Sequence, residues 1–472
     1  MELRKRRGDT ERLVRSQIEP IRSLTRFTLI LLLQAVPCFP QVQSQNPVVS
    51  LASAGAPITI TLQDALQRAR QNDPQYRSAI TDLGLAREDR VQARAGMLPS
   101  VNYDNSFIYT QGTGPQPATC NNPAGCSNFR FIANNGVHEY FSQGNAHEAL
   151  SLTTVADYRR SSAALAQAKA KAEIATRGLV VTVTQAYYGL IVAQRKYATA
   201  QRAAAEASRF LDISQKLESG GEVARADVIK ARIHSQQQQR DLQEAQLAME
   251  RTRLDLAVLL FPDFRQDFTV VDDLQTPEPL PAFSEAETAG KKNSPELRAA
   301  LAAYEAANHE VTAAWGGLLP SLSLDYFYGI DANQFAIRSN GVRNLGYSAV
   351  ATLQIPVFSW GSDRSKLKQA KLKRTQADVE LTYAQKQLLS RLREFYREAE
   401  TARSEMESLA SSAEIAAESM RLTTMRYQAG ESTVLEVVDA QNTLTQARNA
   451  YDDGQSRYRI ALANLQTLTG TF

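Results

Sequence analysis

The most restrictive feature of this sequence is the distribution of its prolines. A proline inside a helix costs about 3 kcal/mol or more, and no proline lies between Pro123 and Pro262 or after Pro356. Both stretches are rich in Ala, Gln, Arg, Glu and Leu, which are good helix formers. The spacing predicts continuous helices over 158–219 and 364–429, roughly 90 and 100 Å long at the usual rise per residue.

Apolar stripes with a seven-residue period run through the segments that follow these helices. The second half has Val437, Leu444, Tyr451, Tyr458 and Leu465, with small companions at Ala440, Ala447, Gly454 and Ala461. The first half has Val228, Ser235, Leu242, Met249 and Leu256. A sustained seven-residue repeat predicts helices that coil around neighbouring helices.

The chain also contains an internal duplication. Several residues of the first half recur 221 positions later. Asn72, Pro74, Leu98 and Pro99 correspond to Asn293, Pro295, Leu319 and Pro320. Further along the offset is 209, as in Tyr187 and Tyr396 or Gly221 and Gly430. The sequence therefore predicts two structural repeats, over 58–276 and 277–472, with a longer insertion in the first.

Each half contains two segments in which apolar and polar residues alternate, which is the pattern of strands. These segments cover 322–330 and 345–357 in the second half, and 101–109 with a weaker one over 149–155 in the first. Alternating runs of about ten residues with aromatic side chains are typical of membrane β-barrels. Candidates for the aromatic girdles of such a barrel are Tyr103, Tyr109, Tyr326, Tyr328, Tyr347 and Trp360.

Four strands cannot close a barrel, and open strand edges are not tolerated in lipid. Further copies of the chain must therefore supply the remaining strands. Three copies would make twelve strands with a water-filled lumen, although symmetry alone also allows two or four copies. The predicted fold class is a mixed α/β membrane protein with four strands per protomer and long α-helices.

The first 44 residues have the features of a secretory signal peptide. A basic stretch, Arg4–Arg7 with Arg22 and Arg26, precedes an apolar run over 27–33, which is too short to span a bilayer. Cleavage is expected after Ser44, and a lipid anchor on Cys38 is the alternative. In the exported chain, Cys120 and Cys126 are expected to form a loop disulfide.

Several functional classes find little support. The net charge of +3 does not suggest nucleic acid. His138-Glu139 and His147-Glu148 begin like zinc-protease motifs, but Ser142 and Ser151 stand where the second histidine is required. Neither an enzyme activity nor a metal or cofactor is expected.

The motifs, taken in order, point to a known family. They are Asn72-Asp73-Pro74 with Leu98-Pro99, the repeats Asn293-Ser294-Pro295 and Leu319-Pro320, then Pro356–Gly361 and Tyr427–Gly430. This set resembles the TolC-like outer-membrane efflux protein family, or outer membrane factors, over residues 58–470.

The resemblance implies a homotrimer with a twelve-stranded β-barrel in outer-membrane lipid and a helical barrel in the periplasm. Short helices over 61–71 and 283–292 would form a belt around the helical barrel. The family acts as an exit duct for efflux or type I secretion, with a periplasmic adaptor protein and an inner-membrane RND, ABC or MFS pump.

The functional end is expected at the turns after the long helices. Gly221 and Gly430 suit helix ends with positive φ. Glu436 and Asp439 share a helix face, and the resemblance makes them the carboxylates of the periplasmic constriction.

The resemblance also places Asp227 and Tyr427 among the bonds that hold the tip closed. Ser432 stands where the best-known members have a basic gating partner. A non-conducting structural or adhesive envelope protein is the alternative function, and the cargo stays open.

Overall fold

The computed structural model describes residues 58–109, 138–275, 279–332, 335–339 and 341–471. The first half contains β1 (Ile58–Ile60), α1 (Leu62–Asn72), α2 (Pro74–Ala95), β2 (Ser100–Tyr109), β3 (His138–Leu150), α3 (Leu152–Ser219), α4 (Arg225–Leu260) and β4 (Phe268–Val270). The second half contains α5 (Phe283–Asn293), α6 (Pro295–Gly316), β5 (Ser321–Ala332), β6 (Arg338–Ser339), β7 (Val342–Arg343), β8 (Leu345–Gln354), α7 (Ser362–Gln428) and α8 (Val434–Thr469). Apart from short strands, both halves have the order short helix, helix, strand, strand, long helix, helix.

Two very long helices set the length of the molecule. Helices α3 and α7 contain 68 and 67 residues, so each is about 100 Å long. The predicted helices over 158–219 and 364–429 are confirmed, and α3 begins earlier than expected, at Leu152. Among the described residues, no helix is both long and apolar enough to cross a membrane.

A four-stranded antiparallel sheet stands at one end of these helices, in the order β2–β3–β5–β8. Strands β2 and β8 are its two free edges. The predicted strands over 101–109, 322–330 and 345–357 are confirmed as β2, β5 and β8. Strand β8 ends at Gln354, two residues before Pro356, whose nitrogen has no hydrogen to donate to a ladder.

The predicted weak strand over 149–155 is wrong. Strand β3 lies earlier, at 138–150. Ser151 then caps α3, accepting a hydrogen bond from the Thr154 backbone N–H at 3.2 Å, which commits the following residues to helix. Alternation in 138–150 is obscured because both faces carry polar residues, including Ser142, Gln143 and Glu148.

The register of the sheet separates its residues into two faces. Tyr103 of β2 pairs with Gly144 of β3, and Gly144 also pairs with Tyr328 of β5. Tyr328 in turn pairs with Tyr347 of β8. We call the face that contains these tyrosines the apolar face. The polar face carries the alternate residues, among them Asp104 opposite Gln143 and His147 opposite Asp325.

The helices form a layer that follows the order of the strands. Helix α3 packs against α2, α4, α6 and α8, and α7 packs against α6 and α8. The free edges are therefore α2 and α4 from the first half and α7 from the second. The predicted apolar stripe of α8 is largely internal, since Val437, Leu444, Tyr458 and Leu465 are buried.

The repeated Asn-Asp-Pro and Asn-Ser-Pro motifs join short helices to the ends of long ones. Asn72 Nδ2 donates to the Leu260 carbonyl at 2.6 Å, and Asn293 Nδ2 donates to the Thr469 carbonyl at 2.9 Å. Each amide thus satisfies a carbonyl at the C-terminus of α4 or α8, which has no partner within its own helix.

The next two residues of each motif start a helix. Asp73 and Ser294 are the N-caps of α2 and α6, and each is followed by proline in the first turn. Proline is well placed there because its missing N–H would have no intrahelical partner. The same three-residue motif therefore ends one helix and begins another in both halves.

The signal-peptide segment 1–44, with Cys38, lies outside the described residues. So do Cys120 and Cys126, and the expected disulfide stays a prediction.

The asparagine bonds generate a first prediction. Asn72→Ala removes the side-chain donor and leaves the Leu260 carbonyl unpaired, a loss of about 1 kcal/mol or slightly more. We expect amide hydrogen exchange in the last turn of α4 to become about tenfold faster through local opening. Asn308→Ala, at an exposed position of α6, is the control and should leave exchange unchanged. Equal rates in both variants would contradict this role of Asn72.

Candidate functional site

Two turns make the far ends of the long helical hairpins. One joins α3 to α4 and contains Gly221, and the other joins α7 to α8 and contains Gly430. Their φ angles are +79° and +80°, in the left-handed region that side chains disfavour. The expectation of positive φ at both glycines is confirmed.

A small apolar core holds the two hairpins together just behind these turns. Phe210, Ala231, Tyr427, Val434 and Val437 are buried there, and we call them the tip cluster. The Phe210 and Tyr427 rings lie 4.9 Å apart, at an interplanar angle of 59°. The Tyr427 hydroxyl donates to Ser214 Oγ at 3.1 Å, so α7 is bonded to α3.

Asp227 is placed differently from Tyr427. Its carboxylate pairs with Lys230 Nζ at 3.1 Å, one turn further along α4. Within the described residues of one protomer, the structure thus brings Tyr427 into a bond between helices and keeps Asp227 in an intrahelical pair.

Glu436 closes a capping box at the start of α8. Its carboxylate accepts hydrogen bonds from the Thr433 backbone N–H at 3.3 Å and the Thr433 hydroxyl at 3.0 Å. The Ser432 hydroxyl also donates to it, at 2.9 Å. These bonds, the one from Ser432 first, lower the pKa of Glu436 below its ordinary value.

Asp439 lies one turn further along α8 and is exposed. Glu436 is exposed as well, so both carboxylates reach solvent in the protomer. Arg426 Nη1 lies 4.0 Å from Glu436, which puts a basic residue of α7 beside the position of Ser432. Sequence reasoning missed Arg426 because it precedes the turn.

Two further groups of polar residues between helices were not anticipated. His234 of α4 is buried and its Nε2 lies 2.9 Å from Gln441 Oε1 of α8. Burial lowers the pKa of His234, while the bond to Gln441 acts in the opposite direction. A single histidine in an otherwise Gln- and Arg-rich segment was the only signal in the sequence.

The second group lies near the middle of α3. Nε and Nη2 of Arg195 each donate to one carboxylate oxygen of Asp272 at 2.7 Å. Its Nη1 lies 3.1 Å from Asp452 Oδ1 and 2.5 Å from Gln455 Oε1. Asp272 follows β4 of the first half, whereas Asp452 belongs to α8 of the second. The guanidinium therefore ties the two halves together at a distance from the tips.

The zinc-protease-like dipeptides are not arranged for metal chemistry. His138, Glu139, His147 and Glu148 all belong to strand β3, whereas that motif requires a helix. No cluster of three or more potential metal ligands occurs in the part of the chain that the structure describes.

Comparisons with known proteins agree with this architecture. The profile of the outer membrane efflux protein family matches residues 290–471. Outer membrane protein TolC of Escherichia coli is 23% identical over 433 residues, which cover 87% of this chain and 82% of TolC. The chain is therefore similar to outer membrane efflux proteins, through the family profile over its second half and through TolC over most of its length.

Further proteins extend the similarity. The alkaline protease secretion protein AprF of Pseudomonas aeruginosa is 24% identical, over 87% of this chain and 84% of AprF. The CmeC outer membrane channel of Campylobacter jejuni has the same fold, with a TM-score of 0.74 at 18% identity, covering 87% of this chain and 85% of CmeC. The outer membrane protein VceC of Vibrio cholerae gives 0.75 at 17% identity, covering 87% and 96%.

The tip cluster generates a second prediction. Tyr427→Phe removes the hydroxyl but keeps the ring, and it should weaken the contact between hairpins by about 1 kcal/mol. We expect limited proteolysis of the two turns to be about fivefold faster. Tyr383→Phe, at an exposed tyrosine of the same helix, is the control. Adding Ser214→Ala to Tyr427→Phe should cause little further change, and a fully additive effect would show that the bond is unimportant.

The capping box generates a third prediction. Because the pKa of Glu436 is lower when folded than when unfolded, its contribution to stability is fully present above the ordinary pKa of the unfolded chain and is lost as pH falls through the folded pKa. Exchange protection in the first turn of α8, corrected for intrinsic rates, should therefore be constant above that value and decline below it. In Thr433→Ala the decline should begin at higher pH. The same onset in both proteins would contradict the assignment.

Proposed function

We propose that this chain is one protomer of an outer-membrane exit duct in a tripartite efflux or type I secretion system. The observation that carries the proposal is a four-stranded sheet with one apolar and one polar face, two open edges and very long helices below it. The names of similar proteins support the same function, since they include an outer membrane protein, an outer membrane channel and a protease secretion protein.

The apolar face of the sheet needs a lipid environment. Tyr326 and Tyr328 of β5 are 46% and 51% exposed in the protomer, and Tyr347 of β8 is 75% exposed. A continuous exposed apolar surface of this kind marks a contact with membrane or protein. With this face toward lipid, Tyr103, Tyr109 and Trp360 supply further aromatic residues for the membrane boundaries.

The open edges call for further copies of the chain. Strands β2 and β8 each have one unpaired side, which lipid does not tolerate. The edge formed by β2, α2 and α4 differs from the edge formed by β8 and α7, so copies associate head to tail and close into a ring. Three copies give the twelve-stranded barrel and a continuous helical barrel, with the halves as duplicated repeats over 58–276 and 277–472.

Helix α2 supports the same arrangement. None of its residues is buried in the protomer, and Leu85 and Val91 are exposed. A long helix without any buried side chain gains little stability from packing within its own protomer. Helix α7 likewise exposes Leu372, Val379 and Tyr383, and contact between these two edges would bury both sets.

At the other end, the hairpin tips form the periplasmic constriction. Under threefold symmetry, Glu436 and Asp439 make two rings of carboxylates that favour cations. Tyr427 and the two turn glycines, Gly221 and Gly430, keep the tip in its closed shape. Asp227 belongs to the same closing and adaptor-contact region through its position at the start of α4.

The duct is passive. A periplasmic adaptor and an inner-membrane pump of the RND, ABC or MFS type supply the cargo and the energy, and residues 1–44 direct export. A non-conducting envelope protein is the second candidate, but that function does not explain why one face of the sheet is polar.

A subunit-interface variant and a conductance measurement test the proposal together. The wild-type protein, purified in detergent, should crosslink as a trimer and conduct ions after reconstitution into a planar bilayer. Leu85→Glu should reduce the trimer fraction at least about tenfold, since it buries an unpaired charge at the interface. Gln75→Glu, which adds the same charge at an exposed position in the first turn of α2 and on a different side of the helix from Leu85, should assemble normally. A stable trimer without conductance would support the structural alternative instead.

A further inference from the structure

The four strands of the sheet have an unusual charge composition. Strands β2, β3, β5 and β8 contain no Lys or Arg. Their acidic residues are Asp104, Glu139, Glu148, Asp325 and Asp331. Within these strands, therefore, no arginine or lysine offsets the negative charge.

The register places four of these five acids on the polar face. Asp104 lies opposite Gln143, Asp325 opposite His147, and Asp331 opposite Phe141, which is two residues from Glu139 on the same side of β3. Only Glu148 lies on the apolar face, opposite Leu324. The segregation is a consequence of strand pairing, because neighbouring residues of a strand point to opposite faces.

These acids differ in how far their charge is compensated. Asp325 Oδ1 lies 2.7 Å from Nδ1 of His147. Glu139 and Asp331 share a side-chain hydrogen bond, so each has a polar partner on the same face. Asp104 is exposed and has no hydrogen-bond or ion-pair partner among the described residues. It is the least compensated charge of the polar face.

Open space lies beside Asp104 in the row of residues that pair across the four strands. We call this row the open level. Across the strands the row reads Asp104, Gln143, Gly329 and Gly346. The two glycines project no side chain, and a hollow of about 380 Å³ is lined in part by Gln143, Gly329, Asp331 and Gly346.

The two glycines have different local surroundings. A Cβ at Gly329 would overlap the Ser142 carbonyl oxygen, so the packing of β5 against β3 requires glycine at this position. A Cβ at Gly346 would meet nothing within 4 Å. Position 346 can therefore accept a side chain that reaches into the open level.

We propose that the polar face of the sheet is a second cation-selective segment of the duct, with Asp104 as its principal charge at the open level marked by Gly329 and Gly346. This inference rests on the proposed duct function and concerns inorganic cations and cationic cargo. An uncompensated carboxylate on the wall of a water-filled pore raises the local concentration of cations and disfavours anions. This selectivity is separate from that of Glu436 and Asp439, because the Debye length of about 8 Å is far shorter than the helices between them.

The test is the reversal potential of reconstituted channels in a KCl gradient. Asp104→Asn should lower the cation-to-anion permeability ratio at least about twofold while the channel still conducts. Gly346→Lys adds a positive charge at the same level and should lower the ratio further. Gly346→Gln, of similar length but uncharged, is the matched control and should keep the wild-type ratio.

Variants at the tip make the result specific. Glu436→Gln with Asp439→Asn removes the tip carboxylates, and Asp104→Asn should lower the ratio in that background as well. Unchanged ratios in both Asp104→Asn and Gly346→Lys would overturn the proposal. An equal fall in Gly346→Gln would also overturn it, because size rather than charge would then be responsible. Failure of the duct function itself would appear differently, as absence of conductance in the wild-type protein.

Discussion

The free hydrogen-bonding groups along β2 and β8 are the constraint on which the rest of this structure depends. A four-stranded sheet with an apolar face cannot rest in lipid while its edges are unpaired, and the described part of one protomer has no further strand in this sheet to cover them. The edges differ, so the ring that we propose would pair one edge with the other in head-to-tail contacts. The helical layer follows the same order as the strands, and closing the sheet in that ring would close the helices as well.

Polar contacts and one apolar contact then hold the helices of the protomer together along their length. At the helix ends, Asn72 and Asn293 satisfy terminal carbonyls of α4 and α8, and at mid-length Arg195 links both halves. At the tips, the apolar contact of Phe210 with Tyr427 joins α3 to α7. The tip carboxylates are engaged locally, since the bonds to Glu436 come from Ser432 and Thr433. The residue that we propose for the constriction, Glu436, thus also stabilises the start of its helix.

Much of this could be predicted from the sequence because its signals are local and repeated. Missing prolines, heptads, turn glycines and the alternation in β2, β5 and β8 each act over a few residues. Strand β3 was misplaced because polar residues on both faces hide its alternation, and only pairing with β2 and β5 shows where it lies. His234 and Arg195 were missed because their partners lie far away in the chain, and Arg426 was missed because it precedes the turn that brings it to Glu436.

By itself the sequence determined the long helices, most of the strands, the turns and the internal repetition, because backbone sterics and side-chain periodicity act within short segments. Only the tertiary structure decided which charges are paired and which are left open. It bonded Tyr427 of α7 to Ser214 of α3, paired Arg195 with Asp452, and aligned Asp104 with two glycines across four strands. Those outcomes depend on register and helix packing, which bring together residues hundreds of positions apart.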